Sequence, residues 1–165
     1  MSSHDNEAQP AKILLVEDGH VQTILVTTAL ADFPQFHLLH VAKNGVEATE
    51  FLTRELQCGN GQLPDLIFLD INMPEKDGFE VLTELKSDPV LRTIPVIVFT
   101  TTDCQEDVDR AYEKGANTFV TKPVTLADLK GVLKRIADYW VETACLPTNL
   151  QASNEAKPRI WRSAG

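Results

Sequence analysis

Cysteine, long apolar runs and positive charge are all scarce in this chain, and each scarcity closes off a class of function. Cys58, Cys104 and Cys145 are odd in number and show no CxxC spacing. They support neither a disulfide framework nor a zinc site and suit a reduced, cytoplasmic setting. The longest apolar runs reach only four or five residues, far short of the ~20 needed to cross a bilayer. The polar start, MSSHDNEAQPA, lacks the apolar run of a signal peptide. Lys and Arg number 15 against 24 Asp and Glu, a formal net charge of −9. Such a surface repels DNA and anionic membrane, and no basic recognition helix is present. A soluble protein with neither nucleic acid nor membrane as partner is expected.

What remains is ordinary globular material, 43% hydrophobic over 165 residues, enough for one domain with a real core. From Lys12 onward strand and helix patterns alternate. Strands are expected near 12–17, 36–42, 65–70, 95–100 and 117–121, and helices near 19–32, 44–56, 78–87, 104–115 and 125–144. The central runs are continuously apolar and rich in Val and Ile, as in strands buried on both faces. Repeated strand and helix predict a doubly wound α/β fold with a parallel sheet. Capping-box spacings at Asn44/Glu47, Asp77/Glu80, Asp103/Glu106 and Thr125/Asp128 mark helix starts, and Gly115 suits a left-handed stop.

Residues 1–11 read as a disordered arm, 12–146 as the domain and 147–165 as a flexible tail made basic by Lys157, Arg159 and Arg162. On the last helix Leu126, Leu129, Leu133, Ile136 and Trp140 fall at 3–4 spacing toward the sheet. Val132, Tyr139 and Leu146 recur every seven residues on another flank, a candidate dimer face. His37 and His40, three apart on a strand, are expected on opposite faces and cannot share a metal. His20 reads as a solvated helix residue.

The chemistry lies at the strand ends. Ile13–Val16 runs into Glu17-Asp18, Leu66–Leu69 into Asp70, Val96–Phe99 into Thr100, and Phe119–Thr121 into Lys122-Pro123. In an open parallel sheet the ligand crevice lies outside these carboxyl ends. The pair Glu17-Asp18 alone would read as a helix cap with a solvated neighbour; Asp70, ending another central strand, outweighs that reading. Clustered carboxylates repel unless a cation sits among them, and an all-oxygen ligand set suits Mg²⁺. Asp70 could then attack phosphorus to give an aspartyl phosphate, with Lys122 and the Thr100 hydroxyl neutralising the phosphoryl oxygens. Pro123 restricts Lys122 to extended backbone and so fixes its direction.

Val16-Glu17-Asp18, Leu69-Asp70-Ile71-Asn72-Met73-Pro74 with Asp77-Gly78, Phe99-Thr100 and Thr121-Lys122-Pro123 together resemble the response-regulator receiver domain, over about residues 12–143. The resemblance implies a five-stranded sheet of order 2-1-3-4-5. It implies Asp70 as phosphoacceptor, Mg²⁺ held by Glu17, Asp18, Asp70 and the Asn72 backbone carbonyl, and Thr100 with Lys122 as the phosphoryl-binding pair. Phe119 matches the family's switch aromatic, and Asn72 and Thr102 match positions that tune dephosphorylation. Two departures stand out: β-branched Thr101 would narrow entry where a small residue is usual, and Gly19 would loosen the metal-bearing turn.

The insert at 57–64, the Thr100-Thr101-Thr102 run and Tyr139–Thr143 followed by Leu146-Pro147 look like single-domain regulators of cyanobacterial-type phytochrome histidine kinases. These dimerise through the fourth helix, fifth strand and fifth helix. The resemblance therefore implies a cytoplasmic, homodimeric signalling switch with a sensor histidine kinase as partner. It would be no enzyme beyond handling its own phosphoryl group. A phosphorylation-independent interaction module is the alternative. A flavodoxin-type FMN protein is excluded because Glu17-Asp18 would repel the phosphate. A haloacid-dehalogenase-type phosphatase is excluded because its nucleophile ends the first strand, not the third.

Overall fold

The computed structural model describes residues 9–58 and 62–147. Most of the expected N-terminal arm, residues 59–61 of the long loop and the tail beyond Pro147 lie outside the described residues. Strands β1 (Ala11–Val16), β2 (Phe36–Ala42), β3 (Leu66–Leu69), β4 (Val96–Thr100) and β5 (Thr118–Thr121) alternate with helices. These are α1 (His20–Leu30), α2 (Gly45–Gln57), α3 (Gly78–Ser87), α4 (Gln105–Glu113) and α5 (Leu126–Trp140). A 3₁₀ turn at Leu91–Thr93 precedes β4. Every strand boundary lies within one residue of its expected place.

All pairings are parallel and the order is β2-β1-β3-β4-β5. Alternate side chains divide the core into two halves. Leu14, Val16, Ile67, Leu69, Val96 and Val98 face α2, α3 and α4, where Ala48, Phe51, Leu52, Val81, Leu82 and Ala111 meet them. Ile13, Leu15, Leu66, Phe68, Ile97 and Phe99 face α1 and α5 through Val26, Leu30, Leu129, Leu133 and Ile136. Each such Val, Leu, Ile or Phe side chain, taken out of water, contributes about 1.5–3 kcal/mol. The two-sided burial holds the central strands rigidly, so the residues that follow them emerge at fixed positions. Because Val16 pairs with Leu69, Glu17 and Asp70 leave the sheet side by side.

Four local expectations need correction. Helix α5 ends at Trp140 rather than 144: the Thr143 and Ala144 N–H groups both donate to Tyr139 O, and the Thr143 hydroxyl donates to Asp138 O at 2.6 Å. That turn takes Leu146 off the helix, where it packs half-buried on the α1/α5 half of the core. Leu146 therefore does not continue a stripe with Val132 and Tyr139. The Asp103/Glu106 box does not form either. Helix α4 starts after Cys104, whose N–H donates to the Thr102 hydroxyl at 3.2 Å. The Asp77/Glu80 box is complete, whereas Asn44 and Thr125 accept from Glu47 and Asp128 N–H without the reciprocal bond to the cap backbone.

The histidines also lie differently from expectation. The register slips between Ile13 and Leu14, whose partners are Leu38 and His40. This bulge breaks the alternation of β2. Phe36, Leu38 and Val41 pack with the α1/α5 half, yet Leu39 packs with the other half and His40 stacks on Phe51 at 4.3 Å. Residues 37 and 40 thus fall on one face rather than two. His37 is exposed, and no metal cluster among the described residues includes either.

In the β3–α3 loop Glu75 has φ 64°, the left-handed region, without being glycine. That conformation costs an L-residue about 1–2 kcal/mol, and glycine gives back part of the gain through its unfolded-state entropy. Glu75→Gly should therefore raise unfolding free energy by about 0.5–1 kcal/mol in urea titration; a loss of stability would show that the Glu75 backbone is not strained.

Candidate phosphoryl and metal site

The carboxyl ends of β1, β3, β4 and β5 deliver polar groups to the same edge. Glu17 is held by its N–H donating to Ala42 O at 3.0 Å, and Asp70 by its N–H donating to Val16 O at 3.0 Å. Glu17 and Asp70 are buried, at 3% and 7% exposure, while Asp18 faces solvent. One carboxylate oxygen from each of the three lies within 4.8 Å of the others. Oxygens on opposite sides of one Mg²⁺ stand about 4.2 Å apart, twice the usual ~2.1 Å bond. The donor set is all oxygen and open to solvent at Asp18, so the residues present fit a divalent cation.

Lys122 is also buried, at 4% exposure. Its Nζ donates to Glu17 Oε2 and stands 3.7 Å from Asp70 Oδ2. Burial pushes the Glu17 carboxyl above the ordinary carboxylate value; the Lys122 ammonium opposes the shift and the Asp70 charge adds to it. Sequence reasoning assigned Lys122 to a phosphoryl group and missed this pairing with Glu17. The charge balance held the clue, since three acids and one base at the same edge leave the base only acids to meet.

Gly19 does not loosen the turn. Its φ of −77° is available to any residue, and its N–H donates to Glu17 Oε1 at 3.0 Å. With Lys122 on the other oxygen, the Glu17 carboxylate is held at both ends. Gly78, part of the Asp77-Gly78 motif but given no role in the sequence, lets α3 pack directly on the Asp70 backbone. A Cβ there would sit 2.3 Å from Asp70 O and 2.6 Å from Ile71 Cα. The Asp77/Glu80 capping box fixes the start of the same helix, so the backbone of Asp70 is clamped between β3 and α3.

Around the carboxylates, Asn72 N–H donates to Asp70 Oδ1 at 3.1 Å, and Asn72 Nδ2 donates to the Thr100 hydroxyl at 3.4 Å. Thr100 is fully buried at the end of β4, whereas Thr101 beside it is exposed. Thr102 turns its hydroxyl toward α4, donating to Asp107 Oδ2 at 3.3 Å. Phe119 lies three residues before Lys122 on β5, half-buried against the α2/α3/α4 half of the core. Val132 and Tyr139 lie away from this edge, in a groove of about 320 Å³ between β5 and α5 that Trp140, Ile136, Val120 and Arg135 also line.

Comparisons with known proteins agree with this geometry. Residues 13–134 match the family described as response regulator receiver domain. Response regulator Rcp1 of Synechocystis sp. is 40% identical over 143 residues, spanning 87% of this chain and 97% of its own length. The crystal structure of the phosphorylated cyanobacterial phytochrome response regulator RcpA superposes with a TM-score of 0.77 at 40% identity, covering 84% of this chain and 99% of that one. The Mn²⁺-bound form of Rcp1 gives a TM-score of 0.71 at 39% identity, covering 84% and 100%.

Lys122 is the one ammonium that approaches both buried acids among the described residues. Removing it strands Glu17 and Asp70, so Lys122→Ala should cost about 3 kcal/mol of stability. Mg²⁺ at a hundredfold excess over its Kd should then return about 2.7 kcal/mol, readable as a shift in the urea midpoint. A Lys122→Ala protein as stable as the parent without Mg²⁺ would contradict the pairing.

Proposed function

Because the chain belongs to the response regulator receiver domain family, we propose that it is a two-component signalling switch phosphorylated on Asp70 by a sensor histidine kinase. The observation that carries this reading is the meeting of Glu17, Asp18 and Asp70 with Lys122 and Thr100 at one sheet edge. Similarity to Rcp1 and RcpA supports a kinase of the phytochrome type. No helix among the described residues is long and apolar enough to cross a membrane, in keeping with action in the cytoplasm.

Mg²⁺ is the proposed ion, held by the carboxylates of Glu17, Asp18 and Asp70 and by the Asn72 backbone carbonyl. When bound it would supply positive charge against the phosphoryl oxygens. The chain's own residues do the rest by position. An Asp70 carboxylate oxygen forms the new O–P bond as the N–P bond of the donor phosphohistidine breaks, and the departing imidazole takes its proton from solvent. Lys122 exchanges its Glu17 oxygen for a phosphoryl oxygen, and the Thr100 hydroxyl donates to another. Both side chains lie at the ends of β4 and β5, so these new bonds draw on the segment that carries Phe119, the proposed switch ring. Asn72 stands against Asp70 where attacking water must pass, and Thr102 joins this edge to α4; both are proposed to tune the phosphate lifetime. The protein turns over only its own phosphoryl group.

Output is proposed to pass through protein contact and a homodimer. The exposed Tyr139 and half-buried Val132 on the β5–α5 groove are the candidate face, with half-buried Leu146 beyond the end of α5. A receiver-shaped module that works without phosphorylation would present the same groove.

Acetyl phosphate with Mg²⁺ should add one phosphoryl group to the protein by intact mass. The addition should disappear without Mg²⁺ and in Asp70→Asn; no addition under any condition would favour the phosphorylation-independent module. In sedimentation, Tyr139→Ala should lower the dimer fraction, and an unchanged mass would move the interface elsewhere.

A further inference from the structure

As the outer strand of the sheet, β5 bonds to β4 along one side only. Its second residue, Phe119, turns its N–H to the other side, where the Tyr112 hydroxyl accepts it at 3.2 Å. Tyr112 stands on the last turn of α4 and is half exposed. Helix α4 has little else to hold it: Ala111 is its one buried residue. Its other side-chain ties are the Thr102 hydroxyl donating to Asp107 at 3.3 Å and two to α3, from Arg110 over the Phe79 ring at 4.0 Å and from the adjoining Lys114 to the Thr83 hydroxyl at 3.1 Å. Among the described residues, Tyr112 makes the only side-chain hydrogen bond that joins α4 to β5.

That bond lies close to the chemistry. Three residues beyond Phe119, the Lys122 N–H donates to Thr100 O at 2.7 Å, and the Lys122 ammonium reaches Glu17 and Asp70. A rearrangement that carries Lys122 off Glu17 must be accommodated along this four-residue strand, none of whose residues is fully buried. A hydrogen bond made in one arrangement and weakened in another biases the equilibrium between them.

We propose that the Tyr112 hydroxyl is a positioning group that holds Phe119, and through β5 Lys122, in the arrangement adopted while Asp70 is unmodified. The proposal rests on Asp70 being the phosphoacceptor. Loss of the hydroxyl releases β5 and moves the population toward the phosphoryl-accepting arrangement.

Tyr112→Phe removes the acceptor and keeps the ring. The initial rate of acetyl phosphate labelling, at saturating Mg²⁺, should rise about three- to tenfold, the factor expected for one hydrogen bond. Amide hydrogen exchange at Phe119 should accelerate in the same variant, with Val120 little changed. Tyr112→Ala should also accelerate labelling. An unchanged or slower labelling rate in Tyr112→Phe would overturn the proposal, and so would an unchanged Phe119 exchange rate. A lowered melting temperature without faster labelling would reduce Tyr112 to a structural role and overturn it equally. If the parent protein takes no label, the phosphoacceptor reading fails first and the proposal falls with it; labelled parent with unresponsive Tyr112→Phe defeats the proposal alone.

Discussion

A single ammonium between two buried acids is the interaction on which the site depends. Glu17 and Asp70 are nearly closed to solvent, and Lys122 reaches both. Buried carboxylates that face each other without a cation are costly, so this edge of the sheet requires positive charge in some form. Lys122 supplies one unit, and three carboxylates leave room for more. The pocket is thus matched both to a divalent cation and to the anionic group such a cation would accompany. On the proposed reading Lys122 is shared between these duties: the nitrogen that now meets Glu17 and Asp70 would move to a phosphoryl oxygen once another cation takes its place.

The fold makes that sharing possible by holding strand ends still and leaving an outer strand less constrained. β1, β3 and β4 are buried on both faces; the carboxylates follow β1 and β3, and Thr100 ends β4. Gly78 brings α3 against the Asp70 backbone, and Gly19 supports the Glu17 carboxylate. The ammonium comes from β5, the outer strand, whose residues are only partly covered. The acids thus follow fully packed strands and the base a less buried one, the division that the proposed switch requires. The Tyr112 contact to Phe119 lies on that less buried strand.

Much of this was legible in the residues alone, for identifiable reasons. The short, Val/Ile-rich apolar runs Ile13–Val16, Leu66–Leu69 and Val96–Phe99, alternating with helix patterns, read as doubly buried strands, and this set the parallel sheet and the positions of Glu17, Asp70 and Thr100. Helix starts were legible where the cap side chain had no competitor, as at Asp77; at α4 the Thr102 hydroxyl competed for the turn, and Asp103 lost its place. The β2 bulge could not be read, because a register slip arises from pairing with β1 and leaves the strand's own pattern intact. The end of α5 and the placing of Leu146 depended on backbone bonds to Tyr139 O that no periodicity reveals. Lys122 was recognised as aimed at the pocket, but its partner depended on three-dimensional distance. Gly78 was visible only as a motif letter, since the clash it avoids is with backbone eight residues away.

Crystals of the protein grown with Mg²⁺ and beryllofluoride provide the most direct measurement of whether this pocket accepts a cation and a phosphoryl group together. The account predicts beryllofluoride on Asp70, an ion shared by Glu17, Asp18 and Asp70, and Lys122 moved from Glu17 to a fluorine. A structure in which Lys122 stays on Glu17, with neither Mg²⁺ nor beryllofluoride at the carboxylates, would contradict it.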